Sequence, residues 1–116
     1  MFYKYFPNPI RADTWAHIAV VRSASAWSIY VNGVAQLTWA DGSSSIPDYN
    51  GAFTFAYEKA NSWYFNGWMD EVRVSKGIAR WTSNFTPPTA PYDRDGSVVL
   101  LLHMDGADGS TTFIDG

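Results

Sequence analysis

Two neighbouring carboxylates, Asp70 and Glu71, lie in the apolar run WMDEVRV at Trp68–Val74. Paired carboxylates can cleave glycosidic bonds, but only when they face each other across about 5–10 Å. Adjacent residues of a strand point to opposite faces. The pair therefore reads as structural: Asp70 as partner of His17 or cap of a loop donor, Glu71 as surface partner of Arg73. His17 and His103 are the two histidines, and both sit inside apolar strands. Buried, neutral, hydrogen-bonded imidazoles are the expectation for each. There is no GxSxG elbow. The GADG at Gly106–Gly109 lacks the strand–loop–helix setting and the lysine of a phosphate loop. No catalytic residue is expected, and the chain reads as a non-enzyme.

Oxygen donors and aromatic rings offer other chemistry. Hard cations want clustered oxygens, and Asp41, Asp48 and Asn50 share one loop while Asp105 and Asp108 share another. They are the candidate calcium ligands, although loop Asp and Asn also serve turn geometry. The chain has six Trp, seven Tyr and seven Phe, more than a core of this size buries comfortably. Trp27, Ile29 and Val31, with Phe53 and Phe55, read as core. Trp39, Tyr49, Trp63, Tyr64 and Trp68 lie in or beside loops, where rings can stack on a sugar or pack against a partner chain.

Those residues need a scaffold. The 116-residue length allows one domain. A hydrophobic fraction of 47% excludes disorder, and the absence of cysteine excludes a disulfide framework and Cys-ligated metal sites. Eight basic residues against eleven acidic ones give a net charge of −3, with no basic stripe, so no nucleic-acid partner is expected. No apolar run reaches the roughly 18 residues of a membrane span. Met1–Pro9 has neither the aliphatic run nor the cleavage site of a secretion signal.

Short strands between turn signals dominate. Strands are expected over Trp15–Arg22, Trp27–Val31 and Val34–Trp39, the last two joined by Asn32-Gly33, a strong hairpin signal. A polar loop spans Ala40–Gly51. Further strands are expected at Ala52–Tyr57, Trp68–Val74 and Val98–Met104, with a short start at Thr111–Ile114. Ser75–Trp81 could make one helical turn. Asn84–Tyr92, with three prolines, should run extended. The reading is an antiparallel all-β sandwich.

WAHIAVVR at Trp15–Arg22, WSIYVNG at Trp27–Gly33 and FNGWMDEVRVSKGIARW at Phe65–Trp81 together resemble the concanavalin A-like lectin/glucanase (laminin G-like) jelly-roll family. TSNFTPPTAPY at Thr82–Tyr92, followed by VVLLLHMDGADGSTTFIDG at Val98–Gly116, looks like a junction between tandem copies, as in marine bacteriophage structural and tail-fibre proteins. The resemblance implies a cut out of frame with the repeat. Residues 1–83 would be the second half of one copy, 84–97 a Pro-rich linker, and 98–116 the opening strand of the next copy. The sandwich would then be incomplete or effectively circularly permuted, with Val98–Met104 folded back beside Trp68–Val74 or swapped between chains. A homo-oligomer through edge pairing or swapping is expected. The implied function is a non-catalytic binding or structural module of a phage or microbial surface protein, at a virion or extracellular surface. Carbohydrate is the implied ligand, met by Trp39, Asp48, Tyr49, Asn50, Asn61, Trp63 and Tyr64. The alternatives are a purely architectural repeat making protein contacts in a fibre, and a glycan-cleaving enzyme of the same fold, whose acidic motif is not reproduced here.

Overall fold

A computed structural model of the chain describes residues 10–43 and 45–116; the aromatic stretch Met1–Pro9 lies outside them. Strand β1 (Ile18–Ser23) turns at Ala24-Ser25 into β2 (Ala26–Val31), and β2 turns at Asn32-Gly33 into β3 (Val34–Ala40). Asn32 and Gly33 have φ values of 50° and 78°, the positive pair that a type I′ turn demands. The three strands form one antiparallel sheet in the order β1-β2-β3. β1 begins at Ile18 rather than Trp15. His17 closes that end, its N–H donating to Asn32 Oδ1 at 2.9 Å and its C=O accepting from Asn32 N at 2.8 Å.

A small hairpin pairs β4 (Tyr57–Glu58) with β5 (Trp63–Tyr64), and β6 (Val72–Ser75) pairs antiparallel with β7 (Val98–Leu102). All pairing is antiparallel, and no helix occurs among the described residues. β7 thus folds back beside β6 within one chain.

Four expectations fail locally. The alternation in Ala52–Tyr57 does not make a strand, because Ala56 takes a φ of 58° and Thr54 Oγ1 bonds back to Tyr57 O at 3.2 Å. Phe53 is accordingly exposed rather than core. Trp68–Val74 is extended in a ladder only from Val72. Glu71 has a φ of 49°, and its N–H donates to Asp70 Oδ1 at 2.9 Å instead of to a neighbouring strand. Ser75–Trp81 makes no helical turn; Gly77 has a φ of 84°. At the C-terminus, the expected strand Thr111–Ile114 is reduced to a single bridge between Leu102 and Asp115.

The first sheet buries Ala19 and Tyr30 on one face and Val31, as expected for core, on the other. Ala19 and Tyr30 face each other across β1 and β2, and Leu101 lies opposite Arg73 across β7 and β6. Tyr30, 2% exposed, is core, whereas Trp27 and Ile29 on the opposite face are only half-buried. Trp81 and rings from the Pro-rich stretch join the buried faces. Trp81 stacks on Phe85 at 4.0 Å and Phe85 meets Tyr30 at 5.4 Å. His17 sets edges against both Trp81 and Phe85. The Arg73 guanidinium lies 3.9 Å from the Tyr92 ring centroid, a cation–π contact in a partly dry setting. The stretch is buckled to the first sheet at two points: Phe85 N donates to Gly33 O, and Asn84 Oδ1 accepts from Ala35 N, each at 2.9 Å.

Candidate functional site

One side of the β1–β3 sheet is thus sealed by aromatic rings, and the other side carries the candidate site. Its key event is a one-residue bulge. Val31 pairs Val34 and Tyr30 pairs Ala35, but Ile29 pairs Leu37, so Gln36 is extra. A bulge moves every later side chain to the opposite face. The hairpin turn alone would place Trp39 opposite Ala26, on the sealed side; the shift places it opposite Trp27. The two indoles lie nearly parallel, 6.0 Å apart at 8°.

The chain leaving β3 continues the pairing by one step, Asp41 N to Ser25 O at 2.9 Å. Asp41 is thereby delivered beside the indoles. Its Oδ2 accepts from Trp27 Nε1 at 2.6 Å and from Arg22 Nε at 3.1 Å, and its Oδ1 accepts from Ser43 N at 2.8 Å. Arg22 also holds Ser43 O at 2.8 Å. The Ser43 amide, then Trp27 and Arg22, draw the Asp41 pKa down to about 2. The carboxylate is a fixed anion and acceptor at neutral pH and has no proton to give as a general acid. Three of its roughly four lone-pair positions are used.

Trp27, Trp39 and Val20 floor a groove of about 450 Å³, and Asp41, Ser43 and the loop from Ser45 to Tyr49 line the rest. Of the expected ligand residues, Trp39 and Tyr49 come together here, joined by Trp27, Val20 and Ile46, which sequence reasoning did not assign to a site. Asp48 instead lines an adjoining groove of about 530 Å³ with Val74, Ser75, Lys76 and Val99. Ile46 and Pro47 line both grooves, so they form the ridge between them. Asn50 is exposed and lines neither.

Asn61, Trp63 and Tyr64 belong to the β4–β5 hairpin and line neither groove. Asn61 is used locally: Glu58 accepts from Ala60 N, Asn61 N and Asn61 Nδ2, all within 2.9 Å. These amide bonds lower the Glu58 pKa. Tyr64 stacks on Tyr57 at 4.9 Å, and Trp63 and Tyr64 stay exposed.

The calcium candidates do not assemble around one point. Asp41 is committed to Arg22 and Trp27, Asp48 faces the second groove, and Asn50, Asp105 and Asp108 lie in exposed loops. Among the described residues, no three His, Cys, Asp or Glu side chains gather as a metal site.

Asp70 caps a loop donor, accepting from Glu71 N at 2.9 Å, whereas Glu71 is not the expected surface partner of Arg73. Glu71 Oε1 meets His103 Nδ1 at 2.7 Å, and Glu71 Oε2 accepts from Tyr92 N at 2.7 Å. Desolvation pushes the Glu71 carboxyl up, but these bonds outweigh it and its pKa lies below the ordinary value. The Glu71 hydrogen bond raises the His103 pKa, favouring the protonated ring, and His103 is half-exposed rather than the buried neutral ring expected. His17 fits that description in part, half-buried and hydrogen-bonded. Its Nε2 lies 2.8 Å from Tyr92 Oη, its Nδ1 is buried without a partner, and burial, then Arg73, lowers its pKa. The Nε2–H tautomer, donating to Tyr92, leaves only a bare acceptor unsatisfied.

The sheet topology and the hairpin with its VNG turn direct attention to one fold family. The family model of the concanavalin A-like lectin/glucanases superfamily, laminin G type, matches residues 4–80. The chain belongs to this superfamily. No curated protein and no solved structure matches it. The antiparallel all-β architecture is consistent with a concanavalin A-like β-sandwich. The matched region contains Trp27, Trp39, Asp41 and Tyr49, so the whole aromatic groove lies within the superfamily domain. A domain of this superfamily with an apolar groove beside a fixed carboxylate fits a binding module.

Proposed function

We propose that the chain is a non-catalytic carbohydrate-binding module, working at an extracellular or virion surface. The observation that carries the reading is the Trp27–Trp39 pair beside the Asp41 anion. Flat aromatic faces stack on the apolar faces of sugar rings, while a few fixed acceptors select hydroxyl patterns. Asp41 offers one unused acceptor position, and Tyr49 is free to swing against a ligand from the loop. Support for a non-catalytic role comes from Asp41 itself, which is held too acidic to protonate a leaving group. Glu71 is spent on His103 and Tyr92, and Glu58 on Ala60 and Asn61.

A glycan array followed by calorimetry tests the reading. Binding of at least one polysaccharide is expected, and Trp39→Ala and Tyr49→Ala should each weaken it by about tenfold or more, since an aromatic contact with its buried area is worth well over 1 kcal/mol. Binding to no glycan, or full binding by both variants, would reject it.

The exposed rings around the β4–β5 hairpin favour a second reading, an architectural repeat of a fibre. Trp63, Tyr64 and Trp68 (82% exposed) line neither groove. Such rings suit contact with a neighbouring protein.

A further inference from the structure

Asn-Gly occurs three times in the chain, at Asn32-Gly33, Asn50-Gly51 and Asn66-Gly67. The pair is chemically labile, because glycine has no Cβ to keep its backbone nitrogen away from the preceding side-chain amide. That nitrogen can attack the asparagine Cγ. A C–N bond forms, the Cγ–Nδ2 bond breaks, and ammonia leaves with the proton of the glycine N–H. Water then opens the cyclic imide at either carbonyl, giving aspartate or isoaspartate. The balance is one water consumed and one ammonia released. We infer that Asn50 and Asn66 undergo this conversion in the folded chain, Asn50 first, while Asn32 is protected.

Exposure does not separate the three, since all three asparagines are exposed. Restraint does. Asn32 sits in the hairpin turn at a φ of 50°, its N–H donates to His17 O at 2.8 Å, and its Oδ1 accepts from His17 N at 2.9 Å. Gly33 is buried, and its O accepts from Phe85 N at 2.9 Å. Closing the ring there has to break the side-chain bond and turn both residues against the hairpin, so it proceeds only through local opening. Asn50 and Asn66 lie outside every strand, and neither side chain has a hydrogen-bond partner among the described residues. Their glycines differ. An added Cβ at Gly51 would meet nothing within 4 Å, whereas at Gly67 it would lie 2.7 Å from Phe65 Cζ. The Phe65 ring thus crowds the attacking residue at Asn66, and nothing crowds it at Asn50. Conversion of Asn50 puts a new carboxylate, and in isoaspartate one more main-chain carbon, directly after Tyr49, which lines the first groove. The chemistry does not rest on what that groove binds.

Peptide mapping by mass spectrometry tests it, on the full chain held at mildly alkaline pH with and without urea. In the folded chain Asn50 should convert first and Asn66 next, with Asn32 slower than Asn50 by about tenfold or more. In urea, where the hairpin bonds are gone, Asn32 should catch up with the other two. Gly51→Ala, at an open position without a positive φ, should slow conversion of Asn50 several-fold and leave that of Asn66 unchanged. Asn32 keeping pace in the folded chain, a lag of Asn32 that persists in urea, Asn66 converting ahead of Asn50, or an Asn50 that stays intact overturns the inference.

Discussion

An added Cβ at Gly33 would overlap the backbone carbonyl of Phe85 and press on Pro87. Gly33 also needs its positive φ, which costs an L-residue of order 1–3 kcal/mol. The hairpin turn and the clasp on the Pro-rich stretch thus rest on one missing side chain. Gly33→Ala should destabilise the fold by about 2–4 kcal/mol, read as a lower urea midpoint at unchanged slope; a change under about 0.5 kcal/mol would show that the clasp does not matter. The turn itself was legible, because Asn-Gly carries its own backbone preference. The face of Trp39 was not. It depends on the extra residue at Gln36, which no local propensity announces. The roles of Glu71 and His103 were hidden for a related reason: their 2.7 Å contact joins positions far apart in sequence.

At the scale of elements, Glu71 and His103 tie the end of β7 to the approach to β6. The pair contributes fully only where both groups are charged. His103, with a raised pKa, contributes below its ordinary value of 6.5 and loses that contribution as pH rises through the raised value. Glu71, with a lowered pKa, contributes above its ordinary 4.5 and loses it as pH falls through the lowered value. The stability difference between the wild type and His103→Gln should therefore be greatest between pH 4.5 and 6.5 and shrink on either side. Denaturation midpoints across pH measure it; a difference that grows above neutrality would contradict the pairing. His17 acts in the opposite sense, since its lowered pKa favours the neutral ring, but it is common to both proteins and cancels. Elements with alternating patterns were legible where a partner strand exists, as in β1–β3. Ala52–Tyr57 alternates equally well, yet without a neighbouring ladder its rings pack on one another, Phe53 against Phe55 at 4.8 Å.

Across the whole molecule, the two sides of the main sheet do different work. Phe85 and Tyr92 arrive from a stretch that reads as a spacer in sequence, because prolines there exclude a ladder. In space its rings form the core between Tyr30 and Arg73. The superfamily was legible from three short motifs, while the identity of this core was not, since aromatic residues give no sign of which ones meet. The opposite side leaves Ile18, Val20 and Val34 exposed. Chemical denaturation of two variants tests this division most directly. Phe85→Ala should lose about 2–4 kcal/mol, as the removal of a large core ring does. Tyr49→Ala, at a 76% exposed position, should stay within about 0.5 kcal/mol of the wild type. Equal losses, or a Phe85→Ala protein as stable as the wild type, would contradict the account.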